Sequence, residues 1–180
     1  MQALYIIHYC HPSCTPLQSI TRLPEQEAYE KAKALSDQNK GDAFGRFADF
    51  HNYYPKRIRT EKWLYHHFVA IGGKPETEHP LYFVLQGSDY LESWFANGKA
   101  TALPLFSISS EHVSFTFGDS MAKMDKPERK DPFTKEELYR LIENNNGDIS
   151  QFLDGIRQQY TYIEAQLWND IYSHFAMRLK

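Results

Sequence analysis

Four short apolar runs constrain the fold of this chain more than any other feature of its sequence. They occupy residues 3–9, 80–85, 101–107 and 112–117, and turn-forming residues separate them. Their length and their content of β-branched and aromatic residues predict strands. The first run is apolar on both faces, which is typical of a strand in the middle of a sheet.

Helical patterns lie between and after these strands. Apolar residues recur at helical spacing in residues 25–38, 60–71 and 89–96, and Thr134 with Glu137 has the spacing of a capping box. Strands and helices follow no regular βαβ order, and no repeat or long linker divides the 180 residues. We therefore predict one α+β domain over residues 1–180, with a central mixed or antiparallel sheet of about five or six strands.

One segment near the carboxyl end satisfies two periods at once. Apolar residues three and four positions apart, from Leu153 to Leu167, indicate one long helix. Residues 162–168 also alternate strictly, which indicates a strand with Glu164 and Gln166 on the face opposite the apolar side chains. The sequence leaves both interpretations open, and the functional hypothesis below depends on the strand.

The segment HYCHPSC, residues 8–14, concentrates two histidines and two cysteines. Structural zinc sites usually draw two close ligand pairs from separate segments, but the chain has no second cysteine pair. The adjacent His66 and His67 would point about 100° apart on a helix. Nothing nearby orients a histidine as the base of a cysteine nucleophile. We therefore expect no metal and interpret the segment as a strand end, with His8 directed into a cleft.

Residues 44–68 interleave aromatic and basic residues. Rings stack on bases and guanidinium groups pair with phosphates, so the segment could form a surface for a protein or nucleic-acid partner. Its basic residues for nucleic acid would be Arg46, Lys56, Arg57 and Arg59, and we expect Arg57 and Arg59 on one side of an extended segment. The alternative is that the phenylalanines fill the core while the basic side chains reach solvent.

Three motifs, taken in order along the chain, resemble those of ADP-ribosyltransferases. They are His8 in IIHY, the FSIS sequence of residues 106–109, and YIEAQLW with Glu164 and Gln166. The chain departs from the family in two places. Its serine strand lacks the usual Ser-Thr-Ser, and Gln166 stands where the family has glutamate.

The resemblance implies an enzyme that uses NAD and cleaves its bond to nicotinamide. The first-strand residue and the serine strand would hold the nicotinamide ribose and amide, and Glu164 would stabilise the oxocarbenium-like transition state. The implied catalytic residues are Glu164, His8 and Gln166. The implied cofactor-binding residues are Ser107, Ser109, Tyr54, Arg57 and Tyr82, with Tyr54 or Tyr82 stacking on the nicotinamide.

The overall composition restricts the partners and the compartment. A net charge of −3 provides no general attraction to nucleic acid or to anionic membranes. No stretch approaches the ~18 apolar residues of a spanning helix, and the amino terminus lacks the basic region of a signal peptide. We expect a soluble, cytoplasmic protein with no membrane partner, and the oligomeric state stays open.

The favoured hypothesis is therefore a nucleotide-handling enzyme that uses NAD. A non-catalytic binding module built on residues 44–68 is the alternative. Residues 119–133 are mostly polar, and we expect them to form an exposed loop. A metal-dependent nuclease around Asp119, Glu128 and Lys130 is a third and weaker hypothesis, because that loop is too polar to form a pair of strands.

Overall fold

A six-stranded antiparallel sheet organises the chain in the computed structural model, which describes residues 3–179. The strands are β1 (Tyr5–Cys10), β2 (Leu81–Leu85), β3 (Lys99–Pro104), β4 (Val113–Phe117), β5 (Ile163–Leu167) and β6 (Met177–Leu179). Their order across the sheet is β4-β5-β2-β1-β3-β6. The α+β class is confirmed, and the first apolar run does form a central strand.

Helices cover both faces of the sheet. They are α1 (Glu25–Gln38), α2 (Asp42–Ala48), α3 (Phe50–Ala70), α4 (Asp89–Trp94), α5 (Lys135–Glu143) and α6 (Ile149–Arg157). Short 3-10 helices lie at Ile20–Arg22, Leu105–Ser107, Ser110–His112 and Asp170–Phe175. No helix of residues 3–179 is long and apolar enough to cross a membrane.

The alternation of side chains along the strands divides the core into two faces. On one face, Phe83, Phe115 and Ala165 are buried with apolar residues of α5 and α6. On the other face, Leu64 and Phe68 of α3 pack against Trp168. Neighbouring residues in a strand point to opposite faces of the sheet. The residues on either side of Phe83, Phe115 and Ala165 in their strands therefore point toward α3. These residues form the site described below.

The helix predicted from residue 60 begins earlier, at Phe50. Pro55 lies inside this helix, and a proline lacks the N–H that would donate to the preceding turn. Burial of Phe50 and Tyr54 against α1 and α2 nevertheless holds the first turns of α3 in place. The prediction of an extended segment here was wrong, because tertiary packing outweighs the local effect of the proline.

Arg57 and Arg59 both lie in helix α3 and not in an extended segment. Residues two positions apart on a helix point about 200° apart, so the two guanidinium groups do not share one side. Arg57 turns inward to the buried Glu61, and Arg59 is exposed and pairs with Asp125. The expectation that they lie side by side was wrong.

Both periods of the carboxyl-terminal segment are used, one after the other. Helix α6 ends at Arg157, and β5 then begins at Ile163 with all of its residues buried. The strand interpretation is therefore correct for the segment that contains Glu164. The strand predicted over residues 101–107 ends sooner, at Pro104, because the chain turns into a 3-10 helix that contains Ser107.

Candidate functional site

A cavity of about 850 Å³ lies where β1 and β2 diverge. The two strands pair only at Ile6 with Leu85 and at Ile7 with Val84, although β1 continues to Cys10 alongside β3. Residues of β1, β2, β5, α2 and α3 contribute to the wall, together with the loop after β1 and helix α4. This volume lies within the range of pockets that bind small molecules and cofactors.

Glu164 of β5 lies on the wall of this cavity and is 7% exposed. Its cross-strand neighbours are Val84 on β2 and Thr116 on β4. The strand alternation expected from YIEAQLW accounts for this position, because Ile163 and Ala165 take the opposite face and enter the core.

All of the hydrogen bonds that residues 3–179 donate to the Glu164 carboxyl group end at the same oxygen, Oε1. Ser120 Oγ donates to Oε1 at 2.6 Å and Gln166 Nε2 donates to it at 2.9 Å. The Ser120 N–H and the Thr116 hydroxyl lie farther away, at 3.4 and 3.5 Å. Oε2 receives no hydrogen bond from these residues, and it is not one of the fully buried polar atoms that lack a partner. One oxygen is therefore fixed, while the other is free to meet a ligand.

Burial raises the pKa of Glu164 to about 7, and the negative charge of Asp119 acts in the same direction. The hydrogen bond from Ser120 and the positive charge of Arg57 oppose this increase. The carboxyl group therefore changes its protonation state close to neutral pH. Buried carboxyl groups in cavities with this property are candidates for acid–base or electrostatic roles in catalysis.

Gln166 connects Glu164 to a buried chain of hydrogen bonds. Its amide nitrogen donates to Glu164 Oε1 and to Thr116 Oγ1, and its amide oxygen accepts from Ser114 Oγ at 2.8 Å. Ser114 Oγ in turn accepts from the Trp168 indole nitrogen at 2.9 Å. Gln166 itself is completely buried and does not line the cavity. It is a positioning residue for the carboxyl group.

Arg57 and Tyr82 form a second part of the wall. The Arg57 guanidinium carbon lies 3.8 Å from the centre of the Tyr82 ring, and its Nε donates to Glu61 at 2.7 Å. The other oxygen of Glu61 lies 2.6 Å from His79 Nδ1. Burial acts to raise the pKa of Glu61, but Arg57 and His79 outweigh burial and hold the pKa below its usual value. This charged pair fixes the guanidinium beside the cavity.

The Tyr82 hydroxyl is buried and has no hydrogen-bond partner among residues 3–179. Burial also raises the pKa of this phenol well above its usual value, so it stays protonated. A buried hydroxyl without a partner costs roughly 1–3 kcal/mol. A ligand with a polar atom at this point would remove that cost.

His8 lines the same cavity, but both of its ring nitrogens are occupied by backbone groups. Nδ1 lies 2.9 Å from the Tyr82 carbonyl oxygen, and Nε2 accepts from the Leu17 N–H at 3.2 Å. Its ring lies against Phe83, on the other side of the sheet from the Glu164 carboxyl. Burial lowers the pKa of His8, which keeps the ring neutral. In this structure His8 ties the loop after β1 to β2.

The remaining residues implied by the resemblance lie away from the cavity. Ser107 Oγ donates to the Pro104 carbonyl within a 3-10 turn, and Ser109 caps the next one. Tyr54 packs against Tyr29 in the cluster beneath α1. Four of the eight implied residues thus line the cavity, namely His8, Arg57, Tyr82 and Glu164. Gln166 reaches the site only through its hydrogen bond to Glu164.

The basic residues of 44–68 do not form one surface. Lys56 and Arg59 both pair with Asp125, whereas Arg46 and Arg57 line the cavity. Most of the aromatic side chains expected on that surface are buried instead, including Phe44, Phe47, Phe50 and Tyr54.

Sequence reasoning missed Ser120, the donor of the shortest hydrogen bond to Glu164. We expected residues 119–133 to form an exposed loop, yet Ser120 is 4% exposed and Phe133 is also buried. Phe133 exchanges backbone hydrogen bonds with Phe115, which holds the loop against the sheet. No local pattern around Ser120 indicates this contact, because its partner lies 44 positions away in the sequence.

Among residues 3–179, no three His, Cys, Asp or Glu side chains are grouped closely enough to hold a metal ion. Asp119 instead accepts backbone hydrogen bonds from Met121 and Ala122 in a turn at the rim of the cavity. Compared with known proteins, the chain matches no family model, no curated protein and no solved structure.

Proposed function

We propose that the cavity binds a nucleotide, with NAD as the first candidate, and that Glu164 promotes cleavage of the bond between its ribose and nicotinamide. This would be an activity like that of ADP-ribosyltransferases. One observation carries the proposal. A buried carboxyl group lies on the wall of an aromatic-lined cavity, with one oxygen fixed by donors and the other free.

The lining of the cavity suits a ligand that combines flat rings with polar groups. Its aromatic side chains include Tyr53, Tyr82, Tyr90, Trp94, Phe95 and Tyr162. Such side chains stack on bases and nicotinamide rings. The Tyr82 hydroxyl needs a hydrogen-bond partner, and the Arg57 guanidinium is held in place by Glu61. These groups provide polar contacts at defined positions.

In bound NAD, the glycosidic bond between ribose and nicotinamide would break, and nicotinamide would leave as a neutral molecule. A nucleophile would lose its proton and form the new bond to the ribose carbon. Positive charge grows on the ribose as the glycosidic bond breaks. An ionised carboxylate fixed beside that charge, in a site with little water, stabilises it more strongly than a mobile group could. Gln166 holds Glu164 Oε1 and so leaves Oε2 for this role.

The protonation state of Glu164 is consistent with such a ligand. A pKa of about 7 in the free protein means that part of the population is protonated at neutral pH. A cationic nicotinamide ring near the carboxyl group would favour the ionised form and lower that pKa. Ligand binding would thus convert the group to the form that the reaction needs.

The alternative proposal, a non-catalytic binding module on residues 44–68, has less support. Two of its four basic residues are already paired with Asp125. Most of its aromatic rings are inside the protein. For either function we propose the cytoplasm as the compartment, since the free thiols of Cys10 and Cys14 suit a reducing environment.

The test combines binding and turnover of NAD. We expect millimolar NAD to raise the melting temperature of the wild-type protein and of Glu164→Gln. Nicotinamide release should fall about a hundredfold in Glu164→Gln, which keeps the shape of the side chain but cannot carry its charge. The exposed Glu143→Gln is the matched control and should release nicotinamide at the wild-type rate. No thermal shift with NAD, or equal turnover by all three proteins, would refute the proposal.

A further inference from the structure

Arg46 lies in the last turn of α2, on the wall of the same cavity. Its guanidinium carbon is 4.8 Å from the centre of the Phe47 ring, 5.6 Å from that of Phe95 and 5.9 Å from that of Tyr53. These rings come from α2, from α3 and from the residue that follows α4. Side chains from three segments thus hold the cation in place.

Arg46 differs from the other arginines that line the cavity. Arg22 pairs with Asp170 at 2.8 Å, and Arg57 pairs with Glu61 at 2.7 Å. No carboxylate oxygen of residues 3–179 lies within 4.0 Å of the Arg46 guanidinium. Its Nε is buried and has no acceptor within the described part of the chain. The aromatic rings offset part of the cost of holding this cation away from water, but they do not accept the buried N–H as an oxygen atom would.

The surroundings of Arg46 connect it to the rest of the cavity. Tyr53 is an electrostatic neighbour of Arg57 as well as a contact of Arg46. Lys31 of α1 also lines the cavity and has no ion pair with any residue of 3–179. The cavity wall thus carries two cations that no carboxylate of the described residues neutralises, and the missing component is an acceptor with negative charge.

We propose that Arg46 binds a phosphoryl group of the ligand, and that the diphosphate of a nucleotide is the group that occupies this position. The inference rests on the proposed function for the identity of the nucleotide, but the anion site stands on its own contacts. A guanidinium group presents parallel N–H donors whose spacing matches two oxygens of one phosphate. Lys31 adds a second positive charge to the wall of the same cavity.

The test measures binding of inorganic pyrophosphate, ADP and adenosine by calorimetry. We expect pyrophosphate and ADP to bind the wild-type protein, and Arg46→Gln to weaken both by at least about tenfold. Arg46→Lys keeps the charge and should recover part of the affinity. The control is Arg59→Gln, an exposed arginine outside the cavity lining, which should bind like the wild type. Melting temperatures without ligand show that each variant is folded.

The outcomes separate this inference from the proposed function. Affinity for ADP above that for pyrophosphate, with both lost in Arg46→Gln, assigns the site to a nucleotide, whereas equal affinities assign it to a free phosphate anion. Pyrophosphate binding that Arg46→Gln does not change, or that Arg59→Gln weakens equally, overturns the inference even if NAD is cleaved. Absence of NAD turnover, with Arg46-dependent pyrophosphate binding intact, overturns the proposed function and leaves the anion site standing.

Discussion

Single residues in this protein owe their properties to partners that are distant in the sequence. Glu164 has a raised pKa because β5 buries it, and its fixed oxygen depends on Ser120 from a different segment. The alternation around Glu164 predicts which face it takes, as the structure confirms. The short hydrogen bond from Ser120 could not be predicted, because only the folded chain brings the loop after β4 to the sheet.

The Tyr82 hydroxyl leads to a prediction at this scale. Tyr82→Phe removes a buried hydroxyl that has no hydrogen-bond partner in the described range 3–179, so we expect the free protein to gain about 1 kcal/mol of stability. The same change should weaken NAD binding severalfold, because the ligand loses a hydrogen bond. Urea unfolding and calorimetric titration measure the two effects.

Tyr65→Phe is the matched control for this experiment. Tyr65 is partly exposed and packs near Trp168, and its hydroxyl is not one of the fully buried polar atoms that lack a hydrogen-bond partner. We expect little change in stability or in NAD binding. A destabilised Tyr82→Phe variant would show that the hydroxyl has a partner in solution and would contradict this account of the site.

Whole elements were predictable where the pattern is local, and unpredictable where packing decides. The strand at 80–85 follows from its apolar run and the strand at 112–117 from its alternation, and the structure confirms both. The capping box is confirmed in part. Thr134 accepts from the Glu137 N–H, but within residues 3–179 the Glu137 side chain pairs with Arg140 and returns no hydrogen bond to Thr134. The start of α3 could not be predicted in this way, because Pro55 indicates a break in the helix and the burial of its neighbours overrides that effect. The segment from Leu153 carries both periods because a helix and a strand follow each other with only five residues between them.

The beginning of α6 allows a prediction at the scale of the element. Asp148 precedes the helix and accepts hydrogen bonds from the N–H groups of Ser150 and Gln151. Asp148→Ala should lower the free energy of unfolding by about 1 kcal/mol, because it leaves both donors without an acceptor from this cap. Thermal unfolding measures this loss.

Asp154→Ala provides the comparison within the same helix. Its exposed pair with Arg157 contributes little stability, so this variant should unfold within about 0.5 kcal/mol of the wild type. Equal losses in the two variants would contradict the role of Asp148 as the cap.

At the scale of the whole molecule, the cavity exists because β1 separates from β2 after two residue pairs. The His8 ring forms hydrogen bonds with the backbone of β2 and with the backbone of the loop after β1. These hydrogen bonds keep the loop beside the opening of the cavity. Helices α2, α3 and α4 then enclose the space from the other side. The motif order along the chain suggested that His8 and Glu164 share a cavity, but it could not show that the imidazole has no free nitrogen. That property depends on the Leu17 N–H and the Tyr82 carbonyl.

The central claim is that the Glu164 carboxyl group is buried at a ligand site and responds to the ligand. The most direct measurement is a carbon NMR titration of the glutamate carboxyl groups, with Glu164→Gln identifying the signal, in the absence and presence of NAD. We expect the Glu164 signal of the free protein to titrate at a pH of about 7, and NAD to move that midpoint to lower pH. A midpoint near the usual ~4.3 of a solvated glutamate, unchanged by NAD, would contradict the claim.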